Sequence, residues 1–232
     1  MTNYKDFLPQ NSTRTRENIE WAIFYSFNAP DEKSPRTLVV GDSINFQYKE
    51  DLREKLADKV NITSWASSKC VTDVTFLKDL DYILEYNRYD LITFNNGIHY
   101  LTVPTSFEEW EKAYRRTLEF IQAKLPGIPL ALVLCTALAD DEKDAIVQKL
   151  NSITLEIAKD FDLPVIDLYS PMAALDRKEF WNDIYHFKKP AIEIQAQILA
   201  DWISGKLSDV IAANASFLKQ AGSATGPSGA VQ

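Results

Sequence analysis

The fold follows from one short stretch, RTLVVGDS at residues 36–43, in which an apolar run stops abruptly at Gly-Asp-Ser. Its β-branched side chains predict a buried strand. Glycine permits a sharp turn, and the residues after it lie where the carboxyl end of a parallel strand presents ligands. Ser43 is therefore a candidate nucleophile, although Gly-Asp-Ser is equally an ordinary turn composition in which Asp and Ser bond nearby backbone amides.

The same alternation of apolar runs and helical patterns continues along the chain. Further strands are predicted at 60–65, 90–94, 130–135 and 164–168. The apolar spacing predicts helices at 48–59, 77–84, 107–121, 146–157 and from 190 to about 217. Because parallel strands need crossover connections that cover a sheet face, the pattern predicts a doubly wound α/β fold with a parallel five-stranded sheet.

The chain is predicted to be one domain with an appendage at each end. Residues 1–35 form an N-terminal segment, in which the apolar residues of 13–27 predict a helix packed on the domain. Residues 36–219 form the α/β domain, since no Pro- or Gly-rich break divides them. Residues 220–232 are rich in Gly, Ser and Ala and predict a flexible tail.

The composition excludes several classes of function. A net charge of -8 repels phosphate backbones and anionic lipid, and no apolar run approaches the length of a membrane span. We therefore expect neither a nucleic-acid nor a membrane partner. The N-terminus lacks a secretory signal, which predicts a cytoplasmic protein. With two histidines and two cysteines outside any zinc-binding spacing, we expect no metal and no disulfide.

Polar residues that suit ester hydrolysis follow the predicted strands and therefore share one edge of the sheet. Ser43 follows the first strand, 67–72 the second, 95–99 the third, and Asp183 and His186 the fifth. Acyl transfer needs a nucleophile, a base, a group that orients the base, and donors for the oxyanion. Ser43, His186 and Asp183 are candidates for the first three roles. The alternative is a solvated loop acid beside a core histidine.

Gly41-Asp42-Ser43, the turn at 95–99 and Asp183-x-x-His186 occur in the order found in SGNH/GDSL hydrolases, and the chain resembles that family from about Leu38 to Ile198. The resemblance implies a flavodoxin-like three-layer α/β/α sandwich. It also implies an esterase, lipase, thioesterase or carbohydrate deacetylase that uses no cofactor. In such an enzyme Ser43 would be the nucleophile, and Asp183 and His186 would complete the triad.

Two blocks depart from the pattern of the family, and both concern the oxyanion hole. The family builds this hole from the serine amide, here Ser43, a glycine amide and an asparagine side chain. Cys70 stands where the glycine is expected, and its backbone N–H is still able to donate. For the asparagine, alignment on the glycine selects His99, whereas alignment on the strand end selects Asn95 or Asn96. By itself Asn-Asn-Gly also forms a tight turn that needs no ligand.

The predicted substrate is a small ester. The resemblance and the polar, aromatic rim point to an O-acetyl group on a carbohydrate, with a short-chain lipid ester or a thioester as the open alternatives. Candidate substrate-binding residues lie in or beside the site loops: Asp42, Gly97, Trp181 and Tyr185. One alternative is a non-catalytic ligand-binding module on the same fold, in which the altered blocks have abolished turnover. A nucleotide or flavin protein is a third hypothesis, but Asp42 would repel a phosphate at the end of the first strand. The oligomeric state does not follow from the sequence.

Overall fold

A six-stranded sheet forms the centre of the protein in the computed structural model, which describes residues 2–8 and 16–212. Its strands are β1 Ala22–Ser26, β2 Arg36–Gly41, β3 Asn61–Ser67, β4 Leu91–Phe94, β5 Leu130–Val133 and β6 Val165–Ile166. They lie in the order β1-β3-β2-β4-β5-β6. Strand β1 is antiparallel to β3, and all other neighbours are parallel.

Helices cover both faces of this sheet, which confirms the predicted three-layer α/β/α architecture. They are α1 Ser43–Lys55, α2 Phe76–Tyr86, α3 Phe107–Lys124, α4 Asp141–Asp160, α5 Tyr169–Ala173, α6 Arg177–Phe180 and α7 Lys189–Lys206, with short 3₁₀ helices at Tyr4–Phe7 and Ile98–Thr102. A helix follows each parallel strand, so every crossover buries part of a sheet face.

Strand β2 is buried at every position because its side chains point alternately into two cores. Val39 belongs to the core cluster on the side of α1 and α7, together with Leu52 and Leu199. Leu38 and Val40 belong to the opposite cluster, which α2 and α3 help to fill. The continuous apolar run of β2 therefore reflects burial on both faces rather than on one.

The sixth strand corrects two predictions about the N-terminal segment. Residues 22–26 form β1 at the sheet edge instead of a helix over 13–27, and the sheet has six strands where five were expected. Residues 13–15 lie outside the described part of the chain. The β-branched and aromatic side chains of β1 suit cross-strand packing, and Phe24 pairs with Trp65. A short apolar run is ambiguous between helix and strand until its partner is known.

The last helix is shorter than predicted. Helix α7 begins at Lys189 with Pro190 in its first turn and ends at Lys206. A short helical run follows at 208–212. Residues 213–232, which include the predicted helix end near 217 and the predicted tail at 220–232, lie outside the described residues. None of the helices in the described part of the chain combines the length and the apolarity needed to cross a membrane.

The strand order places a crevice at the carboxyl end of β2. This strand lies between β3 and β4, so the chain leaves β2 toward one side of the sheet and later returns on the other. Ligands of doubly wound folds bind at such a switch point. Ser43 begins the helix that directly follows β2, and the fold therefore positions it at this crevice.

Candidate active site

Ser43 lies at the N-terminus of α1, directly after the switch point. Asp42 caps this helix, since its Oδ1 accepts a hydrogen bond from the Ile44 N–H at 2.9 Å. Gly41 is required by close packing, because a Cβ there would lie 2.8 Å from the Cβ of Asn45. The sharp turn thus brings a hydroxyl and a helix N-terminus together, and the helix dipole favours negative charge at that point.

The three side chains predicted to form a triad lie within hydrogen-bond reach of one another. Nε2 of His186 lies 2.9 Å from Oγ of Ser43, although the two residues are 143 positions apart. On the other side of the ring, Nδ1 of His186 lies 2.8 Å from Oδ2 of Asp183. The side chains of His186 and Asp183 are 33% and 53% exposed, so both lie at an open rim. This arrangement can move a proton from a hydroxyl to an imidazole that a carboxylate orients.

Asp183 is held as a carboxylate by its own turn. Its Oδ1 accepts hydrogen bonds from the backbone N–H of Tyr185 at 2.7 Å and from that of His186 at 2.8 Å. Partial burial raises the pKa of Asp183, but the hydrogen bonds from the His186 side chain and from these two amides outweigh burial and lower the pKa below its ordinary value. Asp183 therefore stays ionised at neutral pH.

The loop that carries His186 is supported from behind by Trp181 and Phe187. These two residues form an antiparallel bridge, and their ring centroids are 4.7 Å apart. Both side chains are buried, with Trp181 only 6% exposed. Gln47 of α1 donates a hydrogen bond to the Phe187 carbonyl at 3.2 Å. Trp181 therefore stabilises the loop from the core, contrary to its prediction as a substrate-binding residue.

The two asparagines after β4 point in different directions. Nδ2 of Asn95 donates to the Val133 carbonyl at 2.7 Å, which directs this side chain toward β5. Asn96 joins the loops after β3 and β4, because its Oδ1 accepts from the Val71 N–H at 3.0 Å and its Nδ2 donates to the Lys69 carbonyl at 2.8 Å. The second hydrogen of the Asn96 amide is left for another acceptor. Asn96 is 3% exposed, so its preference over Asn95 as an oxyanion donor rests on this unused hydrogen and on its contacts with the Cys70 loop, not on an open position.

Cys70 lies between the two loop residues that Asn96 holds. Its thiol is buried, and burial raises its pKa to about 11, so the side chain is not a thiolate nucleophile at neutral pH. In the described part of the chain, the backbone N–H groups of Cys70 and Ser43 donate no hydrogen bond to another protein group. Both amides follow parallel strands and therefore lie at the edge of the sheet that carries the site.

His99 is the second histidine of the chain and also pairs with a carboxylate. Its Nδ1 lies 2.5 Å from Oε1 of Glu17, which also accepts a hydrogen bond from the Thr102 hydroxyl. Nε2 of His99 is buried and has no hydrogen-bond partner among the described residues. When Nδ1 donates to Glu17, Nε2 of a neutral imidazole carries no hydrogen, which disfavours His99 as a direct oxyanion donor. Sequence analysis missed Glu17, because no local pattern links it to a histidine 82 positions away.

Asp42 and Gly97 were both predicted to bind substrate, but both are buried. Asp42 is 2% exposed, and its Oδ2 has no hydrogen-bond partner in the described structure. Burial raises the pKa of Asp42, while electrostatic interactions with His99 and His186 and the hydrogen bond from the Ile44 N–H oppose the rise. A Cβ at Gly97 would come within 2.3 Å of the Cys135 Sγ, so packing requires this glycine. Neither residue is open to a substrate.

Tyr185, in contrast, is half-buried at the rim beside His186, and the two ring centroids lie 6.3 Å apart. The ammonium group of Lys143 lies 5.3 Å from the centre of the Tyr185 ring, a cation–π distance. Across residues 2–8 and 16–212, no three His, Cys, Asp or Glu side chains form a metal-binding group. The rim therefore presents an aromatic surface and a cation next to the Asp183 and His186 side chains.

No family model and no curated protein matches the sequence, whereas solved structures match the fold. The acetyl xylan esterase AlAXEase has a TM-score of 0.62 at 18% identity, and the match covers 72% of this chain and 99% of the esterase. A carbohydrate esterase family 3 protein from Talaromyces cellulolyticus has a TM-score of 0.62 at 13% identity, covering 76% of this chain and 99% of that one.

A member of the lipolytic protein G-D-S-L family from Veillonella parvula has a TM-score of 0.59 at 16% identity, with coverage of 72% of this chain and 97% of its own. The chain has the SGNH/GDSL hydrolase fold. The three matches cover 97–99% of the similar structures and 72–76% of this chain, so this chain has residues beyond the shared fold. At these identities the likeness concerns the fold, and the chemistry has to be argued from the site itself.

Proposed function

We propose that the protein is a serine esterase that hydrolyses a small ester through an acyl-enzyme. One observation carries the proposal: Oγ of Ser43 and Nε2 of His186 lie 2.9 Å apart, while Asp183 holds the other ring nitrogen at 2.8 Å. A nucleophile, a base and an orienting carboxylate are the parts that such chemistry requires. The esterases among the structurally similar proteins support the same class of reaction.

In the acylation step, Oγ of Ser43 attacks the ester carbonyl carbon and Nε2 of His186 takes the hydroxyl proton. Asp183 keeps the proton on Nδ1 and stabilises the imidazolium that forms. When the tetrahedral intermediate collapses, the bond from carbon to the alcohol oxygen breaks, and His186 donates its proton to that oxygen. The products of this step are an acyl ester of Ser43 and the free alcohol.

In the deacylation step, a water molecule attacks the acyl carbon while His186 removes one of its protons. The second tetrahedral intermediate expels Oγ of Ser43, which takes the proton back from Nε2. The carboxylic acid leaves, and the enzyme returns to its starting state. The reaction written in this way uses no cofactor.

The negative oxygen of each intermediate needs hydrogen-bond donors, and we assign three of them. The N–H of Ser43 lies at the start of α1, where the helix dipole adds to its effect. The N–H of Cys70 is held in place by Asn96, which bonds the residues on either side of it. The remaining amide hydrogen of Asn96 is the third donor. Removing one donor of this kind typically lowers kcat by about 10²- to 10³-fold.

We propose an O-acetyl group on a carbohydrate as the substrate class. An acetyl xylan esterase and a carbohydrate esterase are among the similar structures. Tyr185 places a half-buried aromatic ring beside His186, where the alcohol part of the ester would leave. Aromatic rings with a polar tip commonly form the walls of ligand pockets.

The test compares the wild type with Ser43→Ala on 4-nitrophenyl acetate and on an acetylated xylo-oligosaccharide. We expect Ser43→Ala to lower kcat by at least about 10³-fold, because the nucleophile is lost while the fold is retained. A fluorophosphonate probe is expected to label the wild type and not the variant, as measured by intact mass.

Ser152→Ala is the matched control, because Ser152 is an exposed residue of α4 whose hydroxyl bonds the Gln148 carbonyl. It should be labelled and turn over substrate like the wild type. Turnover that survives in Ser43→Ala overturns the proposal. Binding of the oligosaccharide by a wild type that neither turns over nor reacts with the probe would identify a non-catalytic binding module instead.

A further inference from the structure

Strand β1 is a free edge of the sheet in the part of the chain that the structure describes. Within residues 2–8 and 16–212 it stands last in the strand order, with β3 as its one neighbour. The carbonyl of Trp21 and the N–H of Phe27 form hydrogen bonds on the β3 side, at 3.0 and 2.9 Å. Because backbone groups alternate along a strand, the N–H and C=O groups of Ala22, Phe24 and Ser26 point away from the sheet.

Neither charge nor proline protects this edge. Residues 21–28, WAIFYSFN, contain no charged side chain and no proline, and β1 pairs with β3 residue by residue without a bulge. Natural edge strands usually carry such features, or are very short, because exposed backbone groups otherwise pair with another chain. The opposite edge strand, β6, is of the short kind, with two residues. In the described sheet, β1 is therefore the edge that is suited to pairing with a further strand.

Exposed aromatic rings border β1 on the face that α1 covers. The Lys49 ammonium of α1 lies 5.1 Å from the centre of the Tyr25 ring and 3.8 Å from that of Phe46, and both rings are exposed. The Tyr25 ring also stacks on that of Phe27, with the centroids 5.7 Å apart. Side chains of α1 and β1 thus form one aromatic surface beside the free edge.

A second aromatic surface borders β1 on the face that α2 covers. The ring centroids of Phe24 and Tyr86 lie 4.6 Å apart, and those of Tyr82 and Tyr86 lie 5.9 Å apart. The four exposed rings of the two surfaces have exposed fractions of 36–62%, which corresponds to about 400 Å² at about 200 Å² for a whole aromatic side chain. That is about half of the area that each partner buries in a standard interface.

The charges around β1 suit a partner that is not itself strongly charged. Lys49 and Arg53 are cations of α1 that lie over aromatic rings beside the edge. On α2, lysines pair with the carboxylates of Asp79, Asp81 and Glu85. This face therefore carries little of the net charge of -8 that makes two copies of the chain repel each other.

We propose that the occupant of this edge is a second copy of the protein, paired antiparallel through β1. An antiparallel pair centred on Phe24 has two-fold symmetry, so Phe24 lies opposite Phe24 of the partner copy. The symmetry axis stands perpendicular to the sheet, so each aromatic surface meets the same surface of the other copy. Two apolar surfaces with little net charge are complementary to themselves, whereas a strongly basic or acidic peptide finds no matching charge there.

In this dimer the two six-stranded sheets join into one. The two-fold axis reverses the direction of the strands, so the crevices at the carboxyl ends of the two β2 strands open on opposite sides of the joined sheet. Each crevice stays open to a substrate. The dimer forms whether or not Ser43 is a nucleophile, so the inference does not depend on the proposed function.

Sedimentation equilibrium of the full chain over a range of concentrations tests the association. We expect the wild type to sediment with the mass of two chains. Ala22→Lys should raise the dissociation constant by at least about 10-fold, because a lysine on an edge strand opposes pairing with another strand. A wild type that stays monomeric would overturn the proposal, and so would an Ala22→Lys dimer as tight as that of the wild type.

Two control variants separate the edge from other effects. Ala22→Val changes the same exposed position to a residue that suits a strand, so it should associate like the wild type. Leu155→Lys adds a lysine at an exposed position of α4, which connects β5 to β6 at the other end of the sheet, and should also associate like the wild type. Far-UV circular dichroism checks that each variant is folded. Loss of the dimer in Leu155→Lys would overturn the assignment to β1.

Hydrogen exchange measured by NMR locates the interface. The Phe24 N–H points away from β3, so it bonds water in a monomer and the partner strand in the dimer. We expect this N–H to exchange slowly in the wild type and rapidly in Ala22→Lys. A dimer with rapid exchange at Phe24 would place the interface elsewhere, and a monomer with slow exchange would assign the edge to another part of the same chain. Either result overturns the proposal.

Discussion

The two carboxylate–imidazole pairs of this protein are chemically alike and differ in where the fold places them. Asp183 and His186 are 33–53% exposed at the rim, whereas Glu17 and His99 are 12–19% exposed beneath it. In the rim pair Nε2 meets the Ser43 hydroxyl at 2.9 Å, while in the buried pair Nε2 is enclosed. The surroundings, rather than the chemistry of the pair, decide whether the second ring nitrogen meets a hydroxyl at the rim or is enclosed.

The pairs also differ in how they are built. Asp183 and His186 share one turn, three positions apart, and two backbone N–H groups of that turn bond the Asp183 carboxylate. Glu17 and His99 are 82 positions apart and meet because a segment ahead of β1 lies across the loops after β3 and β4. The rim pair therefore depends on local geometry, and the buried pair depends on packing.

The largest effect is expected for Asp183→Asn, which breaks the rim pair and leaves the buried pair intact. We expect kcat to fall by about 10³- to 10⁴-fold, because the amide no longer favours the tautomer that leaves Nε2 free to accept a proton. Steady-state kinetics on 4-nitrophenyl acetate measure the loss. Asp176→Asn, at the N-cap of α6, is the control and should retain the wild-type kcat. A value of kcat above one tenth of wild type would contradict the role given to Asp183.

A smaller effect is expected for Gly97→Ala, which disturbs the buried pair through packing. The added Cβ would lie 2.3 Å from the Cys135 Sγ, directly before the 3₁₀ helix that carries His99. We expect the free energy of unfolding to fall by about 1–3 kcal/mol, measured by urea denaturation. In a Cys135→Ala background the same change should cost less, because the clashing sulfur is gone. Equal costs in both backgrounds would show that the clash is not the cause.

The smallest effect concerns the pH dependence of stability in Asp42→Asn. Burial raises the pKa of Asp42, so the folded wild type retains a proton that the unfolded chain releases. The free energy of unfolding of the wild type should therefore decrease as pH rises from 3.8, the ordinary pKa of an aspartate, to the raised pKa of Asp42. The decrease is at most about 1.4 kcal/mol per pH unit. The variant should lack it.

Urea denaturation of both proteins between about pH 4 and pH 8 checks the sign of this difference. Electrostatic interactions with His99 and His186 and the hydrogen bond from the Ile44 N–H oppose the rise in the pKa of Asp42, so they narrow the pH range over which stability decreases. Cys135 and Tyr48 stay neutral across it, because burial raises the pKa of Cys135 to about 12 and that of Tyr48 further still. If the free energy of unfolding depends on pH in the same way in the wild type and the variant, the pKa of Asp42 is not raised.

Sequence reasoning succeeded where the signal was local. The apolar run before Ser43 and the alternation of strands and helices predicted the doubly wound sheet, and strand ends place their loops at one edge. The Asp-x-x-His spacing likewise predicted that Asp183 and His186 share one turn, because the two residues are only three positions apart. The choice among Asn95, Asn96 and His99 stayed open, because it depends on which neighbouring carbonyls and carboxylates each side chain meets.

The failures share one physical cause, namely partners that are distant in the chain. Residues 22–26 form a strand because they pair with β3 at the edge of the sheet. A short apolar run does not indicate by itself that such a partner strand exists. Trp181 and Gly97 lie in turns that look exposed in the sequence, but the core covers both of them. No sequence pattern near Glu17 indicates that it pairs with His99.

The amino-acid order is sufficient for the parallel βα architecture and for the rim position of Ser43, since hydrophobic period and turn chemistry act over a few residues. Folding in three dimensions decides which carboxylate reaches which imidazole, and which of those imidazoles is open to a substrate. Burial and electrostatic environment are properties of all the surrounding residues together, and most of these lie far away along the chain.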